Sequence, residues 1–214
     1  MNYNQYVISF VPGTSGRFVG SVLDRMILQI EEPIELDEDT NNCHYDEKYT
    51  GVSIIDPHRT DVFDVFEFDP PHLKLNLKFS NILKTHVFPD FEVIQKKFKN
   101  LGVIVITFTD DDIVEIVCNS WYKNKGILVD DRTIQYFSHV LKIRQKSFSN
   151  IKIAPKNSLI LNYADIYKNI EGKYLLVEKL KEFTGIQHVP NTVYDACERY
   201  IAGRNRLLAK FSLR

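Results

Sequence analysis

The sequence has almost no net charge, few cysteines and no long apolar run, and each absence excludes a class of protein. Its 27 Lys and Arg residues nearly balance its 28 Asp and Glu residues, which leaves a formal net charge of −1. Such a chain has no global field that attracts nucleic acid, so no nucleic-acid partner is expected. The three cysteines are widely spaced, fit neither a zinc site nor a disulfide framework, and favour a reducing, cytoplasmic location. No apolar run approaches the roughly 18 residues of a membrane span, and no secretory signal is expected at the N-terminus.

Segments with strand and helix periodicity alternate along the chain, which predicts an α/β fold with a mostly parallel sheet. A length of 214 residues at 44% hydrophobic composition is enough for one core, so a single domain over residues 1–214 is expected. Gly102 is expected to end a helix as its C-cap. Strands are predicted at residues 6–11, 51–55, 62–68, 80–86, 103–107 and 158–162. Helices are predicted at residues 15–30, 89–100, 130–146, 173–184 and 192–211, with one more beginning after Asp112.

The first predicted strand runs into a turn of small residues, Pro12-Gly-Thr-Ser-Gly-Arg17, which precedes an amphipathic helix. This order is typical of a phosphate-binding loop, because glycines let backbone N–H groups face an anion and a helix N-terminus adds partial positive charge. The Lys and hydroxyl residue of an ordinary Mg-ATP loop are absent, since Arg17 follows Gly16 directly. The turn equally fits a helix that is capped by Ser15 or Thr14 without any ligand. If the loop binds an anion, Gly16→Val is expected to block binding with little loss of folding.

A second polar cluster, Lys84-Thr85-His86, ends a predicted strand shortly before Pro89. In a regular strand Lys84 and His86 lie on the same side, so an ammonium group and an imidazole would converge. A histidine with an ordinary pKa of about 6.5 is suited to remove a proton at neutral pH. Lys84 and His86 are therefore the candidate catalytic residues, and the alternative is a histidine with a purely structural role.

These segments, in this order, resemble the P-loop sulfotransferases, which transfer a sulfuryl group from PAPS (3′-phosphoadenosine-5′-phosphosulfate). That family has a loop of the type Pro-Lys-Ser-Gly-Thr-Thr and a strand that ends in Lys-Thr-His before a Pro. Here Pro12 to Gly16 and Lys84 to Pro89 look similar. A family strand that ends near Tyr-Glu-Asp and a helix that ends Phe-Leu-Gly are similar to Tyr163-Ala-Asp165 and Phe183-Thr-Gly185. The resemblance implies a P-loop NTPase-like three-layer sandwich, with PAPS as cosubstrate and a small molecule or glycan as acceptor.

The resemblance also implies roles for individual residues. Ser15 and Gly16 would lie at the 5′-phosphosulfate, and Arg17 would supply the charge that the family takes from its loop lysine. His86 would remove the proton of an acceptor hydroxyl or amine, and Lys84 would line the same cleft. The implied cofactor-binding residues are Gly13, Thr14, Ser15, Gly16, Arg17 and Phe18 in the loop, Asn119 and Ser120 on a later helix, and Arg204 near the C-terminus.

Other functions remain open from the sequence. The family has an arginine after its central strand, where this chain has Phe108-Thr-Asp-Asp-Asp112, and this departure favours a non-catalytic binding or assembly module on the same fold. A small-molecule P-loop kinase is the third possibility, against which the missing Gly-Lys-Ser/Thr counts. Asp110–Asp112 could bind a hard cation but equally complement a helix N-terminus, and no metal is expected. The acidic tract at about 31–50 is expected to form a loop or a flap over the site.

Overall fold

The computed structural model describes residues 5–11, 13–37, 39–43, 54–55, 82–85, 101–125, 130–148 and 158–212. The strand predicted at 62–68 and the helix predicted at 89–100 lie outside these residues. The strands are β1 (Gln5–Ser9), β2 (Ile54–Ile55), β3 (Ile82–Thr85), β4 (Leu101–Thr107), β5 (Ser158–Asn162), β6 (Asn169–Ile170) and β7 (Lys173–Tyr174). The α-helices are α1 (Gly16–Leu28), α2 (Ile113–Lys125), α3 (Asp131–Phe148), α4 (Leu175–Thr184) and α5 (Asn191–Ser212). Short 3-10 helices cover Asp110–Asp112 and Tyr163–Tyr167.

Five parallel strands form the central sheet in the order β2-β3-β1-β4-β5. The inner strand β4 is buried from Gly102 to Ile106, which explains why its sequence is apolar without alternation. Helix α1 contributes an apolar face to the same core, because its hydrophobic residues recur every three or four positions. The α/β class and the parallel sheet that the alternation of segments predicts are both confirmed. The buried apolar residues of α1 are Phe18, Val19, Val22, Leu23 and Met26.

The path of the chain reverses around β1. After β1 it runs through α1 to β2 and β3 on one side, and it later continues to β4 and β5 on the other side. Because all five strands are parallel, their carboxyl ends share one edge of the sheet. In open α/β sheets ligands bind in the crevice at such a reversal. The segments 13–17 and 108–112 both follow strands at this edge, and Thr85 pairs with Ser9 there.

One local expectation from the sequence is wrong, and one predicted helix is present but begins later than expected. Gly102 is not a C-cap, since it lies inside β4 and pairs with Tyr6 of β1. The helix predicted from residue 173 begins instead at Leu175, because residues 173–174 pair with residues 169–170 in a small antiparallel hairpin. Hydrogen bonding to another strand overrides the local helix periodicity at this point.

The first part of the acidic tract packs against the rest of the protein. Ile34, Asn41 and Cys43 are buried, and Leu36 forms an antiparallel bridge with Cys43. The side-chain amide of Asn41 donates a hydrogen bond of 3.0 Å to the carbonyl oxygen of Tyr200 in α5. The part of the tract around Asn41 therefore lies against helix α5, and residues 44–50 of the tract are outside the described residues.

The turn that follows β5 is fixed by a buried carboxylate. Asp165 is 5% exposed, and its two oxygens accept hydrogen bonds of 2.8 Å from the ammonium groups of Lys168 and Lys179. Burial alone would raise the pKa of Asp165, but the hydrogen bonds to the two lysines hold that pKa below its ordinary value. The ion pairs thus attach the 3-10 turn to helix α4.

We expect Asp165→Asn to lower the free energy of unfolding by about 2 kcal/mol at neutral pH, because hydrogen bonds to charged groups contribute about 1.5–3 kcal/mol. The folded pKa lies below the unfolded value of about 3.9, so this stabilisation is complete above about pH 4 and is lost as the pH falls through the folded pKa. Denaturant unfolding over a range of pH measures the effect. A difference between wild type and variant that stays constant in acid would contradict it. The exposed Asp195, changed to Asn, is the control.

Candidate functional site

The segment between β1 and α1 closes into a tight turn. The backbone N–H and the hydroxyl of Thr14 both donate to the carbonyl oxygen of Val11, at 3.1 and 2.7 Å. Ser15 occupies the N-cap position of α1 with φ 67° and ψ 16°. The first hydrogen bond of the helix runs from the N–H of Val19 to the carbonyl of Ser15. The N–H groups of residues 16–18 therefore lie ahead of the helical hydrogen-bond ladder. These three groups are the donors that an anion at this helix terminus would use.

The hydroxyls of Ser15 and Thr14 do not cap the helix in the way that the sequence allows. The Ser15 side chain makes no capping hydrogen bond, and the Thr14 hydroxyl donates backwards to Val11. The interpretation of the turn as a side-chain-capped helix is therefore wrong for Ser15, whose hydroxyl has other partners.

Both glycines of the turn are required by packing. Gly13 has a φ of 94°, and a Cβ there would lie 3.0 Å from the carbonyl oxygen of Ile116 and 3.0 Å from the Cβ of Ser120. A Cβ at Gly16 would overlap the buried ring of Phe10. The expectation that Gly16→Val spares folding is therefore wrong, because the larger side chain would displace a core aromatic ring.

The hydroxyl of Ser15 is engaged by two tyrosines. Tyr200 of α5 donates a hydrogen bond of 2.8 Å to Ser15 Oγ, and the hydroxyl of Tyr167 lies 2.7 Å from the same atom. The ring of Tyr200 stacks on the ring of Phe18, with 3.7 Å between ring centres, and on the ring of Tyr167, with 5.5 Å between ring centres. The start of α1 is thus joined to α5 and to the turn after β5 by three stacked rings and two hydroxyl contacts.

A second group of polar side chains continues from these tyrosines. Arg204 donates from Nε and Nη2 to the two carboxylate oxygens of Glu115, both at 2.6 Å. Tyr163 donates to Glu115 Oε1 at 2.8 Å, and the amide of Asn119 donates to the Tyr163 hydroxyl at 2.9 Å. The guanidinium carbon of Arg204 lies 4.6 Å from the centre of the Tyr167 ring, in cation–π geometry.

The pKa values follow from burial and from these contacts. Burial, with further contributions from Tyr167 and Glu115, raises the pKa of Tyr163 well above its ordinary value. Burial also raises the pKa of Tyr200. Partial burial would lower the pKa of Arg204, but the hydrogen bonds and charge of Glu115 raise it. At neutral pH both tyrosines are therefore hydroxyl donors, and Arg204 is a cation.

One polar atom of this group has no hydrogen-bond partner among the described residues. Asn119 is 1% exposed, and its Oδ1 makes no hydrogen bond within the described part of the chain. A buried carbonyl oxygen in this state carries a desolvation cost unless a donor reaches it. Asn119 lies in α2 between Ile116 and Ser120, and Gly13 packs against these two residues. The unsatisfied oxygen therefore belongs to the helix that lines the turn after β1.

The structure brings some of the residues implied by the resemblance close together. The segment 13–18, the α2 residues Asn119 and Ser120, and Arg204 of α5 surround the same edge of the sheet. Arg17 is exposed in the first turn of α1, a turn that contains no acidic residue. The backbone of Lys84 pairs with Ile8 of β1. The side chain of Lys84 and the whole of His86 lie outside the described residues, so their roles stay predictions.

Four residues of this network escaped prediction as site residues: Tyr163, Tyr167, Tyr200 and Glu115. Glu115 and Asn119, like Tyr200 and Arg204, are four residues apart on a helix, so each pair shares a helix face. That spacing is visible in the sequence, but it does not reveal that the faces of α2 and α5 meet. Aromatic residues in the C-terminal helix are ordinary core residues by pattern alone.

Of the three carboxylates Asp110–Asp112, that of Asp112 has a local structural role. Asp112 accepts hydrogen bonds from the N–H and the hydroxyl of Thr109 at 2.7 and 2.8 Å, which closes a capping box before α2. Within the described ranges no three His, Cys, Asp or Glu side chains are grouped so that they could hold a metal ion. None of the described helices combines the length and apolar character needed to cross a membrane.

Comparison of the chain with protein-family models finds no matching family, and comparison with curated proteins finds no match.

Proposed function

We propose that the protein binds the phosphosulfate group of PAPS at the segment 13–18, hereafter the anion loop, and transfers its sulfuryl group to a hydroxyl or amine acceptor. The observation that carries this proposal is the start of α1. Its first turn has three N–H groups ahead of the helical ladder, no acidic residue and the exposed cation of Arg17. A cation at a helix N-terminus opposes the helix dipole unless an anion lies nearby. The parallel sheet and its reversal at β1 support a P-loop-like fold.

In this proposal the N–H groups of residues 16–18 and the Arg17 guanidinium bind the anionic end of the cosubstrate. PAPS, when bound, supplies an activated sulfuryl group on a good leaving group. The acceptor oxygen or nitrogen forms a bond to sulfur as the bond from sulfur to the phosphate oxygen breaks. His86 takes the acceptor proton, and Lys84, at the end of the neighbouring strand, offsets the charge that develops on the leaving oxygen. Because Ser15 and Arg204 already have partners in the protein, backbone donors and Arg17 contribute most to anion binding.

Titration calorimetry with 3′-phosphoadenosine-5′-phosphate (PAP), with ATP as the comparison, tests this function. We expect PAP to bind and ATP to bind far more weakly. Arg17→Ala should lower the affinity for PAP about tenfold, because it removes a charged hydrogen-bond donor. Such hydrogen bonds contribute about 1.5–3 kcal/mol, and the lower end of this range, which corresponds to about tenfold in affinity, applies to an exposed side chain. Arg132→Ala is the matched control, because Arg132 is an exposed arginine at the start of α3. Equal affinity of wild type and Arg17→Ala would remove Arg17 from the site.

A non-catalytic binding or assembly module is the second candidate. It is favoured by the internal pairing of Arg204 with Glu115 and by the two tyrosine hydroxyls on Ser15, since these groups are satisfied without a ligand. If neither PAP nor ATP binds to the folded protein, this second function replaces the first. Tight binding of ATP in place of PAP would instead favour the small-molecule kinase.

A further inference from the structure

Ser15 has a backbone conformation that its residue type does not favour. Its φ of 67° and ψ of 16° lie in the left-handed region, where a side chain other than that of glycine is uncommon. Residues persist in this region only where the surrounding structure holds them, and such residues are concentrated at functional turns. The conformation of Ser15 sets the direction in which the chain enters α1, and hence the direction of the N–H groups of residues 16–18.

The groups that hold Ser15 come from distant parts of the chain. Tyr167 and Tyr200 are 152 and 185 positions away from it, and both contact its Oγ atom. Tyr200 stacks on the rings of both Phe18 and Tyr167, and the Arg204 guanidinium lies over the Tyr167 ring. The two tyrosine hydroxyls are therefore fixed in place before any ligand binds.

We propose that Tyr167 and Tyr200 are positioning residues of the anion loop, which hold Ser15 in its left-handed conformation and so aim the first N–H groups of α1 at the ligand. This inference rests on the proposed function, because the anion loop needs to be positioned only if it binds an anion. It also assigns the Ser15 hydroxyl a different role from the one that the resemblance implies. The Ser15 hydroxyl binds the two tyrosines and so fixes the backbone of the loop, and the backbone N–H groups bind the anion.

The variant Ser15→Gly distinguishes a hydroxyl that positions the backbone from a hydroxyl that contacts the ligand. Glycine adopts positive φ without any side-chain contact. We expect the double variant Tyr167→Phe/Tyr200→Phe to bind PAP about tenfold more weakly than wild type, the factor that corresponds to the cost of a left-handed residue. Ser15→Ala, which loses the hydroxyl and keeps the backbone cost, should weaken PAP binding at least as much. Ser15→Gly should weaken PAP binding less than Ser15→Ala does, because glycine adopts positive φ without side-chain contacts. In the Ser15→Gly background the two Phe substitutions should have no further effect.

Two controls make the outcomes distinct. Tyr136→Phe, on the exposed face of α3, controls for loss of a tyrosine hydroxyl elsewhere. Thermal unfolding of each variant shows that the protein is folded at the assay temperature. If Ser15→Gly loses PAP as strongly as Ser15→Ala, the hydroxyl itself contacts the ligand and the positioning role is overturned. An unchanged affinity in the double tyrosine variant overturns it as well.

If wild type binds no PAP, the proposed function is wrong, and the same variants then test the positioning of Ser15 alone. In ¹H–¹⁵N spectra of the free protein, the amide signals of Gly16 and Arg17 should move in the double tyrosine variant. Those signals should not move when the same Phe substitutions are made in the Ser15→Gly background. Unmoved signals in the first comparison would show that the tyrosines do not hold the turn.

Discussion

Replacing Glu115 with alanine is expected to lower the free energy of unfolding by about 3 kcal/mol, because removal of one partner from a largely buried ion pair leaves the other charge uncompensated. Arg204 would lose two hydrogen bonds of 2.6 Å, and the buried hydroxyl of Tyr163 would lose its acceptor. The side chains of Glu115 and Arg204 are only 14% and 24% exposed, so water replaces these contacts poorly. Denaturant unfolding followed by circular dichroism measures the loss.

Glu178→Ala is the matched control, because its partner Lys181 lies 3.3 Å away in a more exposed pair on α4. We expect the control to change the free energy of unfolding by no more than about 0.5 kcal/mol. The double variant Glu115→Ala/Arg204→Ala should lose less than the sum of the two single losses, because the two side chains act on each other. Additive losses, or a Glu115→Ala effect no larger than the control, would show that the pair does not stabilise the fold.

A methyl group at Gly16 is expected to lower the free energy of unfolding by about 3 kcal/mol. The added Cβ would overlap the ring of Phe10, which is 3% exposed and belongs to the hydrophobic core. Overpacking of a filled core costs about 1–3 kcal/mol. The overlap of the added Cβ with the Phe10 ring places the expected loss at the upper end of this range. Thermal and denaturant unfolding of Gly16→Ala measure the effect.

Gly172→Ala provides the comparison. A side chain at Gly172 strains the backbone, because the φ of this residue is 80°. A Cβ there meets no atom within 4 Å, so it adds no steric overlap. Only backbone strain should appear, about 1 kcal/mol. Phe10→Leu should relieve part of the Gly16→Ala loss, because it replaces the aromatic ring with a smaller aliphatic side chain. A Gly16→Ala protein as stable as wild type would mean that the turn and the first strand do not pack as described.

The sequence predicts the elements that local pattern determines. The apolar run in β4 and the helix periodicity of α1 identify two elements of the core, and both occur within one or two residues of their predicted positions. The order of elements predicts the parallel sheet, since strands that alternate with helices pair in parallel. The turn at Gly13 and Gly16 is also predicted, because small residues between a strand and a helix have few other uses.

The contacts of the candidate site could not be predicted in this way. Tyr167 and Tyr200 reach Ser15 only because helix α5 returns to the start of α1 at the end of the chain. Gly16 reads as a glycine that admits an anion, whereas in the structure the ring of Phe10 occupies the space beside it. Each of these contacts depends on how distant faces pack, and a periodic pattern states which face is apolar but not which face it meets.

The most direct measurement of the central claim is a titration of the ¹⁵N-labelled protein with PAP, followed through the backbone amide signals. The proposed function predicts that the amides of Gly16, Arg17 and Phe18 shift in a saturable manner, because their N–H groups donate to the anion. ATP at the same concentrations should leave them largely unchanged. Absence of any shift with PAP, or saturable shifts confined to residues away from the anion loop, would contradict the claim.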